Sequence, residues 1–199
     1  MRRKLTPPDT AGGPTLNDVL ARRRSVREFS GEPLTTAELS QLLWACQGIT
    51  SATGKRAAPS AGATYPLEIY VATPEGRFHY DPTDHALAQL SDDDIRADLA
   101  DAAHDQAAVA AAGATFAITA ESARTEHKYG ERAALYVKLD AGHAAQNLLL
   151  QAVALDLGGV PIGSFAERAV TTVLDLPAER EPVYMVALGR PTTESLVSR

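Results

Sequence analysis

The sequence predicts an α+β protein: one mixed sheet flanked by helices, with long central helices meeting at a homodimer interface. Three observations carry this. The stretch RAALYVKLDAGHAAQNLLLQAVALDL, residues 132–157, has no proline and only one glycine, Gly142. It is rich in Ala, Leu and Gln, all good helix formers. Short apolar runs at 67–73, 114–120 and 182–188 are separated by helical segments, and Pro74-Glu75-Gly76 turns the first of them into a hairpin.

Taken in order, residues 1–14 read as a flexible arm, 15–191 as the domain and 192–199 as a tail. Thr15 or Asn17 caps a helix from Leu16 to Arg23, and Ser25 to Phe29 is extended. Thr35 or Thr36 opens a helix to Gln47, with Glu38 placed for a capping box. Residues 48–66 form a long Gly-, Ser- and Ala-rich loop, of a length usually kept for function. The hairpin pairs Leu67–Thr73 with Arg77–Tyr80. Helices follow at 92–103 and 105–112, then the strand Ala114–Ala120. Ser122 to Gly130 leads into the central helix, Ala166–Leu174 is a helix, and Pro182–Leu188 is the last strand. The central helix is apolar nearly all round, which predicts burial. Ala141, Gly142, Ala144 and Ala145 leave room for a second copy of the chain; the alternative is an ordinary core helix of a monomer.

A net charge of −6 and a pI of about 5.4 argue against nucleic-acid or anionic-membrane partners. Lys138, Asp140, His143 and Asp156 exclude a membrane span in the long helix. The single Cys46 excludes an internal disulfide and reads as a small buried residue. The five histidines show no metal-ligand spacing. Thr6-Pro7-Pro8-Asp9 stands where a signal peptide would place an apolar run, so the expected location is cytoplasmic.

Four segments could carry chemistry. Arg23, Arg24, Ser25 and Arg27 gather guanidinium forks and a hydroxyl that suit a terminal phosphate, with Arg190 following a buried strand; the alternative is a solvated charged face. Pro59-Ser60-Ala61-Gly62 offers a small-residue loop for a flat or anionic ligand, and Ser60 lacks the pattern of a nucleophile. Pro161-Ile162-Gly163-Ser164 suits a chain lying against a planar ring, or a helix C-cap. Lys128-Tyr129 offers acid–base groups, or an exposed helix start.

Together and in this order, Arg23-Arg24-Ser25-Val26-Arg27-Glu28-Phe29, Gly142-His143-Ala144-Ala145-Gln146-Asn147-Leu148 and Gly159-Val160-Pro161-Ile162-Gly163 resemble the nitroreductase superfamily of flavoenzymes. Ala58 to Pro66 resembles its SagB-type dehydrogenase branch, which includes oxidases that turn azolines into azoles in modified peptides. The resemblance implies a homodimer with two FMN molecules in the interface, each touched by both chains. By position it implies that Arg23, Ser25 and Arg27 hold the FMN phosphate, with Arg190 converging and Arg24 in the variable place between them. Pro59, Ser60, Ala61 and Gly62 would line the ribityl chain and ring. Pro161, Ile162 and Gly163 would lie along the isoalloxazine, an amide near Gly163 or Ser164 would face N5, and Asn147 would reach in from the central helix. Lys128-Tyr129 is similar to the Lys–Tyr pair that removes a proton as hydride goes to N5.

The activity this implies is FMN-dependent ping-pong hydride transfer on a small organic or peptide-derived substrate, with NAD(P)H as a candidate donor. An azoline dehydrogenase and a non-catalytic flavin-binding partner subunit are the alternatives. The chain's 199 residues are fewer than in many azoline oxidases, whose added N-terminal region recruits the peptide, so the general flavoenzyme reading is preferred.

Overall fold

The computed structural model describes residues 2–193; residues 194–199 of the expected tail lie outside them. In chain order the elements are β1 (Arg2–Lys4), α1 (Leu16–Arg22), α2 (Thr36–Gln47), β2 (Leu67–Thr73), β3 (Gly76–Asp81), β4 (Ala86–Ser91), α3 (Arg96–Ala102), α4 (Ala107–Ala111), β5 (Ala114–Ala120), α5 (Ala123–Tyr129), α6 (Ala133–Ala154), β6 (Gly158–Ile162), α7 (Glu167–Val173) and β7 (Glu181–Gly189). The strands form one sheet in the order β1-β4-β3-β2-β5-β7-β6.

The α+β class stands, with one change. Every strand pair of that sheet is antiparallel. The parallel component of the expected mixed sheet is confined to an isolated bridge between Ser25 and Gly159.

Alternation along β2 sends successive side chains to opposite faces. Leu67, Ile69 and Val71 join a core with Leu42, Leu43 and Cys46 of α2 and with Ala141, Ala144 and Leu148 of α6. Tyr70 and Ala72 join a second core with Leu99 of α3, Val109 of α4 and Val170 of α7. Cys46 is fully buried, as expected, and desolvation pushes its thiol pKa up.

Both early helices start at capping boxes. Thr15 accepts from the Asp18 amide and Thr35 from the Glu38 amide, while each carboxylate reaches back to its N-cap.

Several expectations change. The supposed arm contains β1, which pairs with β4, and Leu5 beyond it is buried. β4 was not anticipated. The helix expected over 92–103 starts only at Arg96, because Asp94 is drawn into a fork with the Arg96 guanidinium at 2.7 Å. The Gly158–Ile162 segment is an edge strand rather than a helix C-cap, a position that tolerates Pro161.

Helix α6 is not buried all round. Ala141, Ala144 and Ala145 are buried within the chain's own core, in a cluster that includes α2. Leu135 and Leu139 are instead 51% and 49% exposed, and Gly142 has open space beside it. Among the described residues no helix is long and apolar enough to cross a membrane.

Candidate functional site

The arginine cluster begins where α1 stops. Ser25 bridges Gly159, and the Val26 amide donates to the Gly159 carbonyl at 3.0 Å. This close approach needs glycine at 158, where a Cβ would fall 2.8 Å from Val26 Cβ; a Cβ on Gly159 would instead meet the core, 2.3 Å from Leu188 Cδ2. Farther on, Phe29 bridges Pro191 and the Ser30 amide donates to the Arg190 carbonyl at 2.9 Å. The start, end and edge strand of the domain therefore meet, around a cavity of about 290 Å³ lined by Arg22, Arg24, Val26, Asp156, Gly158 and Arg190.

The arginines there are not equivalent. Arg24 donates to the Arg22 and Ala21 carbonyls at 3.0 and 3.1 Å, and Arg22 pairs with Asp156 at 2.5 Å. Arg23 is half-buried, while Ser25 and Arg27 are exposed. Among the described residues, neither the Arg23 nor the Arg27 side chain has a hydrogen bond or ion pair. Arg190 behaves otherwise: Nη2 donates to Glu38 Oε1 at 3.0 Å and Nε lies 3.4 Å from Glu32 Oε2. Among the described residues only its Nη1, buried, is left without a partner. The expected convergence of Arg190 with Arg23 is thus seen as Arg190 with Arg22 and Arg24, its charge already answered by two carboxylates.

β6 leads from Gly159, beside Ser25, to Ile162, about 10 Å farther at 3.3 Å per residue. Pro161 is half-buried and Ile162 buried, while Gly163 and Ser164 are exposed. Gln106 donates to the Ser164 carbonyl at 3.1 Å, and the Tyr184 ring flanks Gly163. Asn147 sits apart from this segment in its contacts: its amide donates to the Ala45 carbonyl at 2.9 Å and ties α6 to α2.

The Pro59–Gly62 loop packs against α5 and α6. Ala61–Ala63 form a single 3-10 turn, in which Gly62, Ala63 and then Tyr65 take φ of 59°, 55° and 46°. Positive φ is natural for glycine but strained for the other two. The Ser60 hydroxyl accepts from the Tyr65 amide at 3.0 Å, so it serves the turn. Against this turn lies the end of α5. Lys128 Nζ donates to the Gly62 carbonyl at 3.3 Å, and a Cβ on Gly62 would lie 2.6 Å from both Lys128 Nζ and Tyr129 Oη. The amine and the phenol therefore converge on one point.

Nearby, Glu68 receives His79 and Arg124, each at 2.7 Å, with Arg180 at 3.9 Å. Burial alone would raise its pKa, but the His79 and Arg124 hydrogen bonds and the arginine charges prevail and hold it down at about 2. Arg56 stacks over the Tyr65 ring at 4.7 Å, and desolvation lowers its pKa. No cluster of three or more metal-ligating side chains occurs among the described residues.

Sequence reasoning missed three residues that shape these clusters. Glu38 was read only as a cap, Tyr184 only as part of a strand, and Asp140 only as an interruption of an apolar helix. Asp140 is 4% exposed, and its place on the stripe with Val137, Ala141 and Ala144 was the available signal.

Fold and site define an α+β protein with an arginine cluster beside a glycine-rich edge strand and a Lys–Tyr pair on a strained turn. The nitroreductase family model matches residues 20–190. A Methanocaldococcus jannaschii protein that carries the provisional name nitroreductase is 40% identical over 181 residues, covering 88% of this chain and 90% of that one. A crystal structure from Ralstonia eutropha, also provisionally named a nitroreductase, matches with a TM-score of 0.89 at 30% identity, covering 96% of this chain and 90% of that one. The NADPH:FMN oxidoreductase from Vibrio harveyi, solved with NAD+, has a similar fold at a TM-score of 0.68 and 23% identity, covering 89% of this chain and 69% of that one. The chain belongs to the nitroreductase family.

Proposed function

We propose that the chain is one subunit of a homodimeric FMN-dependent oxidoreductase acting on a small organic or peptide-derived substrate. The observation that carries the reading is the pair of guanidinium groups, Arg23 and Arg27, that have no partner among the described residues and flank Ser25 at the edge strand. In a chain of net charge −6, two neighbouring arginines left without carboxylates suit an exogenous dianion. The orphaned Nη1 of Arg190 adds a buried donor at the adjoining cavity. A flavin phosphate fits that donor set.

Arg23, Ser25 and Arg27 would hold the phosphate. Pro161, Ile162 and Gly163 would lie along the ring, where the exposed Gly163 and Ser164 amides are open as donors and Gln106 steadies the loop. Bound FMN would supply the redox chemistry, taking hydride at N5 from one substrate and returning it to the next in ping-pong order. The family's oxidoreductase neighbours and the NADPH:FMN oxidoreductase fold support this, and they make NAD(P)H a natural donor to try.

The dimer reading draws on α6. Leu135, Leu139 and Gly142 line one exposed stripe, and Leu16 and Leu20 of α1 are also exposed, at 64% and 51%. A second copy would cover such an apolar face.

A second reading, an azoline dehydrogenase of the SagB type, is favoured by the convergence of Lys128 Nζ and Tyr129 Oη. An amine and a phenol brought to one point are the residue types that can take up and pass on a substrate proton.

The experiment is purification followed by anaerobic titration. Yellow protein whose flavin is bleached by NADPH and recoloured by a nitroaromatic supports the general reading; bleaching only by a thiazoline peptide supports the second. Flavin that neither reagent bleaches would make the chain a flavin-binding partner subunit, and colourless protein that takes up no FMN would remove the proposal.

A further inference from the structure

Among the described residues, Asp140 has no polar contact but the Ala61 amide, which donates to its two oxygens at 3.2 and 3.3 Å. A carboxylate so deeply buried, with one backbone donor, is costly compared with an apolar residue of α6. The turn it holds is itself strained, since Ala63 and Tyr65 are left-handed. Such conformations persist only where their surroundings fix them. Three further contacts help: Tyr65 amide to Ser60 Oγ at 3.0 Å, Thr64 Oγ1 to the Ala61 carbonyl at 3.0 Å, and Thr64 Oγ1 to Thr125 Oγ1 at 2.9 Å. The last of these joins the turn to α5, the helix that ends in Lys128 and Tyr129.

From this chain of contacts we infer that Asp140 is a positioning residue for the Lys128–Tyr129 pair, acting through the Ala61–Gly62 turn. Asp140 fixes the Ala61 amide, the left-handed turn then presents the Gly62 carbonyl and its bare Cα, and the amine and phenol settle against them. The inference rests on reading that pair as the proton-handling groups of the proposed enzyme.

The test is competitive acetylation of the purified full-length protein, read by mass spectrometry. Lys4 of β1, paired with Ala86 of β4 and without a contact to the turn, is the internal reference. Asp140→Ala should raise the Lys128 rate relative to Lys4 by about fivefold, the factor one lost hydrogen bond is worth. Asp140→Asn keeps an oxygen for the Ala61 amide and should restore the wild-type ratio. Ala61→Pro removes the donor instead of the acceptor, at a site where Ser60 already has the extended ψ of 139° that proline requires. It should reproduce the alanine phenotype, and it stands in if Asp140→Ala does not fold. An unchanged Lys128 ratio in folded Asp140→Ala or Ala61→Pro, or failure of Asp140→Asn to restore it, would overturn the inference. Labelling needs neither flavin nor substrate. A positive labelling result with no thiazoline turnover in the wild type would therefore sink the catalytic reading and leave the positioning role intact.

Discussion

Arg190 and Glu38 form a hydrogen-bonded ion pair, Nη2 to Oε1 at 3.0 Å, between the end of β7 and the first turn of α2. Glu38 also caps α2 through Thr35, so one carboxylate ties the helix start to the last strand. An arginine so engaged contributes first to the fold and only through its free Nη1 to any ligand.

The two kinds of arginine should separate on substitution. Arg190→Ala is expected to lower stability by on the order of 1 kcal/mol, the discounted worth of a partly exposed pair. Arg23→Ala and Arg27→Ala should leave the melting temperature of the apoprotein unchanged. Each should weaken FMN binding by about 1.5–3 kcal/mol, the worth of a hydrogen bond to a charged group. Parallel thermal melts and flavin fluorescence titrations of the three variants make the comparison.

Glu68 sets an acid limit. Its carboxyl is held at about 2 in the fold against an ordinary value of 4.5. A depressed folded pKa contributes stability that is complete above the unfolded value and is lost as pH falls from about 4.5 towards 2. Glu68→Gln should flatten that part of the acid-unfolding curve. Identical wild-type and variant slopes below pH 4.5 would show that the His79 and Arg124 contacts do not act in solution.

The exposed stripe of α6 should govern assembly. Leu139→Arg puts a charge on the face that a second copy would cover, and the expected product is a folded monomer with reduced FMN affinity. Sedimentation velocity of wild type and variant gives the answer.

Lys128→Ala and Tyr129→Phe should leave FMN binding within about twofold of wild type, since neither side chain touches Arg23, Ser25, Arg27 or Pro161–Gly163 and both meet only the Gly62 end of the Pro59–Gly62 loop. Each should abolish thiazoline oxidation if the pair removes the proton. Retained turnover in both would leave the general oxidoreductase reading without the azoline branch.

Elements written in strong local signals were legible in the sequence. The Thr35–Glu38 box and the proline-free run of α6 identified their helices, and Leu67–Thr73 alternated as a strand should. β1 and β6 were not legible, because Arg2-Arg3-Lys4 has no apolar face and Gly158-Gly159-Val160-Pro161 has poor strand propensity. Both are edge strands, fixed by backbone pairing with β4 and β7. At the site, the residue types around Arg23–Arg27 and Lys128-Tyr129 were visible. That Glu38 would answer Arg190, or that Asp140 would reach Ala61 across 79 positions, depends on tertiary contacts that local pattern does not encode.

The central claim is that this chain binds FMN through Arg23 and Arg27 in a dimer. Equilibrium dialysis against FMN, with the solution mass measured on the same sample, tests it most directly. The account predicts a two-chain particle carrying one flavin per chain, with occupancy reduced in Arg23→Ala and Arg27→Ala. A colourless particle, or undiminished flavin binding in both arginine variants, would contradict it.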